Sequence, residues 1–530
     1  MSRKSDRDSV ERLVLTADEQ RAADERAVAF GVPRVDLMES AGRSATEWIL
    51  DRMAPSRVGI LAGPGGNGGD GLVVARRLIE AGVDVETLLV ASPDRLSGAP
   101  RAMLDRLRDV GGRVRCVEEA ADSELDGALD AAVVRANVVV DALFGSGLGR
   151  PLADRYRAVV ERVNARDARD ALVVSLDLPS GLGSDRAAPI GVSVRADVTL
   201  AMAFLKPAHL LFPARGFCGN VAVIAVDYPP EALVGIEAWA RVPDRAGIAR
   251  RLPARPPTGH KGTFGRVLVV AGSVGMTGAA ILCARAALRV GAGLVTLAAP
   301  ASLDPILEAA LPEAITLPLP DEDGRLTSLD DDRLARALER ADVLAIGPGL
   351  GRADATAAAV RTVVSRFAGP VVLDADGIVA FRDHVDALAA IGGRVLATPH
   401  PGELGQLIGR GADEIDADRV EAARTFARAR GLSLLLKGRP TAVALPDGTV
   451  WLNPTGNTGL ATGGSGDVLT GCVAGFVAGG ASIEDAAILA AYVHGWAAEV
   501  YARDRAERSL LPSDLIDLFP KVLREVETWS

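Results

Sequence analysis

The chain has 530 residues, 48% of them hydrophobic but only 4% aromatic, and a formal net charge of −10. That length allows roughly three domains of about 150 residues, or fewer and larger α/β domains, with cores of Ala, Val and Leu that suit helices packed on parallel strands. The acidic balance excludes the electrostatic footprint of a nucleic-acid or anionic-membrane binder, so an anionic small ligand must be held by local donors.

In chain order, Met1–Val10 is polar and lacks the apolar core of a signal peptide, and no run of 18 apolar residues follows anywhere. The expectation is a soluble, cytoplasmic protein. Residues 11–53 read as helical: Thr16-Ala-Asp-Glu19 is a capping box, and a helix from about Asp36 to Met53 carries Leu37, Met38, Ala41, Ala45 and Trp48 at helical spacing. The run Val58-Gly-Ile-Leu-Ala62 is a short buried strand, followed by Gly63-Pro-Gly-Gly-Asn-Gly-Gly-Asp-Gly71 and a helix through Glu80. Strand, glycine loop and helix form the phosphate-binding corner of a doubly wound sheet, although the loop is not in the usual G-x-G-x-x-G register. It places Asn67 and Asp70 among the glycines, where they can ligate a cation or bind ribose hydroxyls. Two more strands end in polar residues: 138–141 closes on Asp141 before the loop Gly145–Gly149, and 172–177 closes on Asp177 before Leu-Pro-Ser-Gly181. Three such ends predict one polar cluster along one sheet edge, where open α/β sheets bind ligands. Further strands lie within 195–227, and Lys206 stands alone there, open to reading as a substrate contact or a solvated loop residue.

From Tyr228 to about Pro257 the pattern breaks into proline-rich polar sequence, which predicts a linker at 231–257 between domains 1–230 and 258–530. The second half restarts with Gly259-His-Lys-Gly, then a strand at Arg266–Ala271 and a loop Gly272–Ala279 before a helix. Later strands end at Gly347-Pro-Gly-Leu-Gly351, Asp374-Ala-Asp376, Thr398-Pro-His-Pro-Gly-Glu403 and Lys437-Gly438. The stretch Thr455–Asp467 follows, with glycine at 463, 464 and 466 and a helix predicted from about Gly466. Glycines let backbone amides approach a phosphate, and a helix N-terminus supplies donors and a favourable dipole. Asp467 in that first turn adds nothing to phosphate affinity and is better explained as a base for a hydroxyl that attacks a phosphoryl group. The four cysteines (Cys116, Cys218, Cys283, Cys472) match no metal or redox spacing and read as apolar thiols in a reducing compartment.

These motifs carry two resemblances. Leu15-Thr-Ala-Asp-Glu-Gln20, Leu37-Met-Glu-Ser-Ala-Gly42 and Asp177-Leu-Pro-Ser-Gly181 make the first half similar to the YjeF N-terminal family, known for NAD(P)H-hydrate epimerases. Members usually carry two asparagines before Gly-Gly-Asp-Gly; here the pair is Gly66-Asn67. The second half resembles the YjeF C-terminal, ribokinase-like family of ADP- or ATP-dependent NAD(P)H-hydrate dehydratases, through Gly259-His-Lys-Gly262, Gly347–Gly351, Thr398–Glu403, Leu436-Lys-Gly438 and the run from Asn457 to Asp467. The implied architecture is two three-layer αβα domains, Rossmann-like and then ribokinase-like. The two halves in this order look like the bifunctional bacterial repair proteins for nicotinamide nucleotides.

The resemblance implies the sites. In the first half the hydrated cofactor would lie across Gly66, Asn67, Gly68, Gly69 and Asp70, the loop of Gly145, Ser146, Gly147, Leu148, Gly149, Arg150 and Pro151, and Asp177, the candidate proton-transfer group or a ribose ligand. A potassium ion would sit on Asn67, Asp141 and Ser180, an all-oxygen set. In the second half Asp467 would be the catalytic base, with Ala279, Gly349 and His400 lining the hydrate pocket and His260-Lys261 a weaker contact. Lys437, Gly438, Arg439, Pro440 and Thr441 would meet the nucleotide, together with Gly463, Gly464, Ser465 and Gly466. Mg²⁺ would share the charge, ADP would be co-substrate, and a homo-oligomer acting on NADHX and NADPHX is expected. Two rival readings are a ribokinase-like kinase for a small alcohol such as hydroxyethylthiazole and, for the first half, a scaffold. The kinase leaves the first half unexplained, and a scaffold has no need of Asp141 with Ser180.

Overall fold

The computed structural model describes residues 12–166 and 171–529. The polar opening Met1–Val10 lies outside them. The chain divides into two compact units between Trp239 and Ala240.

The first unit opens with strand β1 (Arg12–Val14), where the sequence suggested helix; three residues are too few for an alternation pattern to show. Leu15 N–H donates to the Leu205 carbonyl at 2.9 Å. The Thr16–Glu19 capping box forms as read, with Thr16 N–H on Glu19 Oε2 at 2.8 Å and Glu19 N–H on Thr16 Oγ1 at 3.3 Å, and starts the helix Ala17–Ala29. Strands β2 (Arg57–Ala62), β3 (Asp84–Leu89), β4 (Val114–Cys116), β5 (Val138–Ala142), β6 (Leu172–Leu176), β7 (Val198–Met202) and β8 (Asn220–Ile224) form one all-parallel sheet in the order β4-β3-β2-β5-β6-β7-β8. Alternation along the strands feeds two cores. Val58, Ile60, Val138 and Val140 join one with the helices Arg34–Met53, Gly66–Glu80 and Gly98–Asp109. Leu61 and Val139 join the other with Asp122–Leu129 and Asp154–Asn164. The strand order reverses at β2 and β5, so a crevice opens beyond their carboxyl ends.

The segment expected as a linker carries structure: β9 (Ala240–Val242) and the helix Arg245–Arg251 belong to the second unit. Asp244 caps that helix through Gly247 N–H at 2.6 Å, which stabilises a polar stretch that reads as loop from composition. Strands β10 (Arg266–Val270), β11 (Leu294–Pro300), β12 (Ile315–Leu319), β13 (Val343–Ile346), β14 (Val371–Leu373), β15 (Val395–Ala397), β16 (Ser433–Leu436), β17 (Ala442–Ala444) and β18 (Val450–Leu452) complete a sheet ordered β9-β18-β17-β16-β15-β14-β13-β10-β11-β12. Its β16-to-β12 portion is parallel, while β16–β17 and β17–β18 are antiparallel. The reversal falls at β10 and β13. The helices Thr277–Arg289 and Ser465–Ala478 pack on each other and on one face, in a core with the helices Ile483–Tyr501 and Pro512–Glu527. The helix Arg419–Arg430 packs on β16 and β17. Gly471 and Gly475 face the helix Thr277–Arg289 so closely that a Cβ on Gly471 would lie 2.1 Å from the Cys283 carbonyl oxygen. The two αβα domains expected from sequence are present. Among the described residues no helix is long and apolar enough to cross a membrane.

Candidate active sites

In the first unit, the residues after β2, β5 and β6 converge at the crevice. Gly145 follows β5, and a Cβ there would lie 2.8 Å from Asp177 Oδ2 and 3.4 Å from Asn67 Cγ, so only glycine lets the three meet. Ser146 N–H donates to Asp177 Oδ2 at 3.0 Å. Gly147, Gly149, Arg150 and Pro151 are exposed at the rim, and Leu148 N–H closes the loop on the Gly145 carbonyl at 3.3 Å. Gly66 starts its helix with no heavy atom within 4 Å of a Cβ, so the asparagine of relatives would fit there without repacking.

Asp141 is fully buried between Leu61 and Ser175 of the neighbouring strands. Its carboxylate accepts from Ser175 Oγ at 2.8 Å, Ser180 N at 2.8 Å, Ser180 Oγ at 2.6 Å and Leu143 N at 3.3 Å. All of these donors are neutral, and burial raises the carboxyl above its usual range. Both side-chain polar atoms of Asn67 are buried without a partner. A buried carboxylate with neutral partners only, and an orphaned amide oxygen on the adjoining loop, fit a hard cation held by oxygens.

Lys206 is not a solvated loop residue. It is 0% exposed and paired with Asp177, and its ammonium also donates to the Phe204 carbonyl at 3.0 Å. Burial pushes the Asp177 carboxyl up, but the Lys206 charge and hydrogen bond outweigh it and hold Asp177 below the usual range. His209 takes Lys206 N–H on Nδ1 at 3.0 Å, so its Nε2 carries the proton and donates to the Asp177 carbonyl at 2.8 Å. Burial, then the Lys206 charge, pulls His209 down to about 3, and the ring is neutral. Asp70 lies nearby with its carboxyl pushed well up by burial and by Asp177 and Asp24; Asp24 in turn bonds Tyr228. Asp24, His209 and Tyr228 escaped the sequence reading because no motif joins them.

In the second unit, five strands of the parallel sheet end at one edge. After β10 and β13, Gly349 packs on Met276 and Ala279, 3.2 Å from the Ala279 Cβ to where its own would be, and Ser273 Oγ donates to the Gly349 carbonyl at 2.8 Å. Two candidate pocket residues are thus neighbours. After β15, His400 caps the helix Pro401–Ile408, its Nδ1 accepting Gly402 N–H at 3.0 Å, while Glu403 returns to His400 N–H at 2.8 Å. The His400 side chain stays half exposed. After β16, Lys437 Nζ lies 2.9 Å from Asp374 Oδ1 and 3.7 Å from Glu403 Oε2. Burial pulls Lys437 down, but these carboxylates outweigh it and keep it charged. Thr441 Oγ1 closes the loop on the Gly438 carbonyl at 3.0 Å, and the buried Arg419 braces the same loop through the Pro440 carbonyl.

Gly464 caps the helix Ser465–Ala478 at φ 98°, with Ser465 N–H turned back to the Thr462 carbonyl at 3.4 Å, and the next amides of the first turn have no acceptor within the helix. Ser465 Oγ donates to the Leu460 carbonyl at 2.8 Å, and His494 Nε2 meets the Ser465 carbonyl at 3.0 Å, fixing the turn from beneath. Lys437 Nζ lies 3.4 Å from where a Gly466 Cβ would be. Asp467 sits in the first turn, and burial, then the Asp374 charge, pushes its carboxyl up to about 7. Amides, an ammonium and a carboxylate raised toward neutrality are the parts that phosphoryl transfer onto a hydroxyl requires.

Comparison with known proteins gives the family. Residues 267–521 match the family model described as NAD(P)H-hydrate dehydratase, and residues 34–208 that of the YjeF-related protein N-terminus. A protein of Moorella thermoacetica named bifunctional NAD(P)H-hydrate repair enzyme is 39% identical over 520 residues, 97% of each chain. One of the same name in Salinibacter ruber is 39% identical over 526 residues, 97% of this chain and 96% of its own. The crystal structure of an ADP/ATP-dependent NAD(P)H-hydrate dehydratase from Bacillus subtilis, co-crystallised with ATP and Mg²⁺, is 33% identical and covers 54% of this chain and 99% of its own, with a TM-score of 0.47. The chain belongs to the bifunctional NAD(P)H-hydrate repair enzymes.

Proposed function

We propose that the first unit interconverts the R and S forms of NADHX and NADPHX, and that the second dehydrates the S form with ADP, releasing AMP and phosphate. The observation that carries this reading is Asp467, a carboxylate that titrates near 7 in the first turn of a glycine-capped helix beside Lys437. Water leaves poorly, so the C6 hydroxyl is phosphorylated first. Asp467 takes its proton, and the amides of Gly463–Gly466 with Lys437 stabilise charge on the phosphoryl group as it passes from ADP. Mg²⁺ on the nucleotide phosphates would share that charge. The C6–O bond then breaks, the electron pair leaving with phosphate while the ring nitrogen's lone pair forms an iminium, which loses a C5 proton to give NADH or NADPH. His400, Ala279 and Gly349 are assigned to the hydrate, and Lys437–Thr441 to the nucleotide.

In the first unit, Asp177, held ionised and oriented by Lys206 and Ser146 N–H, takes the C6 hydroxyl proton as the C6–N1 bond opens to an aldehyde and passes it to the ring nitrogen, and the reverse step, with N1 closing on the other face of the carbonyl, returns it to the C6 oxygen. Asn67, Asp141 and Ser180 are assigned to potassium, which would supply the counter-charge that the Asp141 carboxylate lacks. The substrates are soluble cofactors, so a cytoplasmic homo-oligomer completes the proposal.

The direct test is incubation with a mixture of NADHX epimers and ADP while reduced-nicotinamide absorbance is followed. Full recovery supports both activities; recovery of the S share alone removes the epimerase. No recovery, with phosphorylation of a small alcohol instead, replaces the reading by the kinase. Asp467 acts as a base only when ionised, so the dehydration kcat should fall as pH drops through about 7 and level off above it. Exchange of potassium for choline should slow epimerisation, read by chromatography of the two epimers, and leave dehydration of pure S form unchanged.

A further inference from the structure

The carboxylate after β14 has no part in the reaction described above. Asp374 is 1% exposed, and its Oδ1 accepts from Thr398 Oγ1 at 2.8 Å and from Lys437 Nζ at 2.9 Å. Its Oδ2 accepts from Thr470 Oγ1 at 2.8 Å, on the helix that carries Asp467. The Thr470 hydroxyl also lies 3.1 Å from the Gly466 carbonyl, one turn earlier. One buried group thereby ties the end of β15, the end of β16 and the first turn of the helix Ser465–Ala478 together.

We propose that Asp374 is a positioning residue of the dehydration site: it clamps Lys437 and the Asp467 helix to one another and sets a like charge behind Asp467 that strengthens it as a proton acceptor. The inference rests on the reading of Asp467 as the base. A second carboxylate in a water-poor site disfavours the ionised form of its neighbour, and an ammonium favours it. The groups facing Asp467 are the carboxylates of Asp374, Asp376 and Glu403, the Lys437 ammonium and, on the helix Thr277–Arg289, the Cys283 thiol. His494 is neutral, its ring pulled down to about 4 by burial. All three carboxylates have partners, Asp374 in Lys437, Thr398 and Thr470, Asp376 in Arg352 and Gly351 N–H, and Glu403 in His400 N–H. Asp374 remains the one that acts most strongly on Asp467.

The test is the pH–rate profile of dehydration at saturating Mg²⁺-ADP for Asp374→Asn and Asp374→Glu, with Asp467→Asn as reference. Asp374→Asn should move the acid limb down by about one pH unit and raise the KM for ADP, and Asp374→Glu should bring the limb back. A uniform loss of rate with the limb in place overturns the proposal and leaves Asp374 a packing residue. If Asp467→Asn dehydrates normally, the base assignment itself fails, whatever Asp374 does. Should Asp374→Asn not fold, Thr470→Val decides, since it cuts the tie from Asp374 to the Asp467 helix and keeps both charges: a raised KM for ADP supports the clamp, and unchanged kinetics overturn it.

Discussion

Replacement of Asp467 by asparagine is expected to lower the dehydration kcat by roughly 10²–10⁴-fold, the usual worth of a positioned general base. The amide has the shape of the carboxylate and keeps the helix start, so Gly464, Ser465 and Lys437 stay where they are. Only the proton acceptor is removed. ADP binding should persist, since the proposed reading assigns the phosphates to the amides and Lys437, and the loss should fall on kcat and not on the KM for ADP. Epimerisation should be untouched, because Asp177 and Lys206 belong to the other unit. Stopped-flow absorbance with the pure S epimer reads the first effect and chromatography of the R and S forms the second. A variant that still dehydrates at a tenth of the parental rate contradicts the assignment.

Lys206→Met should be the most damaging single change in the first unit. Methionine replaces the buried aliphatic stem of Lys206 but leaves the Asp177 charge buried without its counter-charge, and such a loss costs about 3–5 kcal/mol. Asp177 also holds a left-handed backbone at φ 62°, so little slack exists for it to turn toward water. Calorimetry should show the melting of the first unit falling by roughly 10 °C or more, with epimerase activity lost. Adding Asp177→Asn should restore part of the stability, because the orphaned charge is gone, yet none of the activity. An unchanged melting temperature in the single variant contradicts the role given to the pair.

Much of both units was legible because apolar runs of three to seven residues end in glycine or polar residues at the functional strands of a doubly wound sheet. Asp141 and Asp177 with Ser180 stand at such ends, and the structure brings them together around Gly145 and Asn67, whereas Asp467 was legible from the glycines before its helix. What was not legible depends on partners in other elements. Lys206 meets Asp177 across 29 positions, from a loop after β7 with no periodicity of its own. Asp374 was visible as a strand terminus, but its neighbours Thr398, Lys437 and Thr470 come from three separate segments. The stretch 240–251 was hidden because a three-residue strand and a seven-residue helix carry too few positions for any period to rise above its prolines and arginines.

The contact of Gly471 and Gly475 with the helix Thr277–Arg289 has a consequence for catalysis. Where glycine backbone meets the facing helix this closely, with only Ala286 and Val290 side-chain carbons beside it, neither rod has room to slide or roll against the other. The dipoles at the head of the Asp467 helix are therefore aimed before any substrate arrives. Little of the activation barrier goes into reorienting them, whereas water would have to reorganise around the same developing charge.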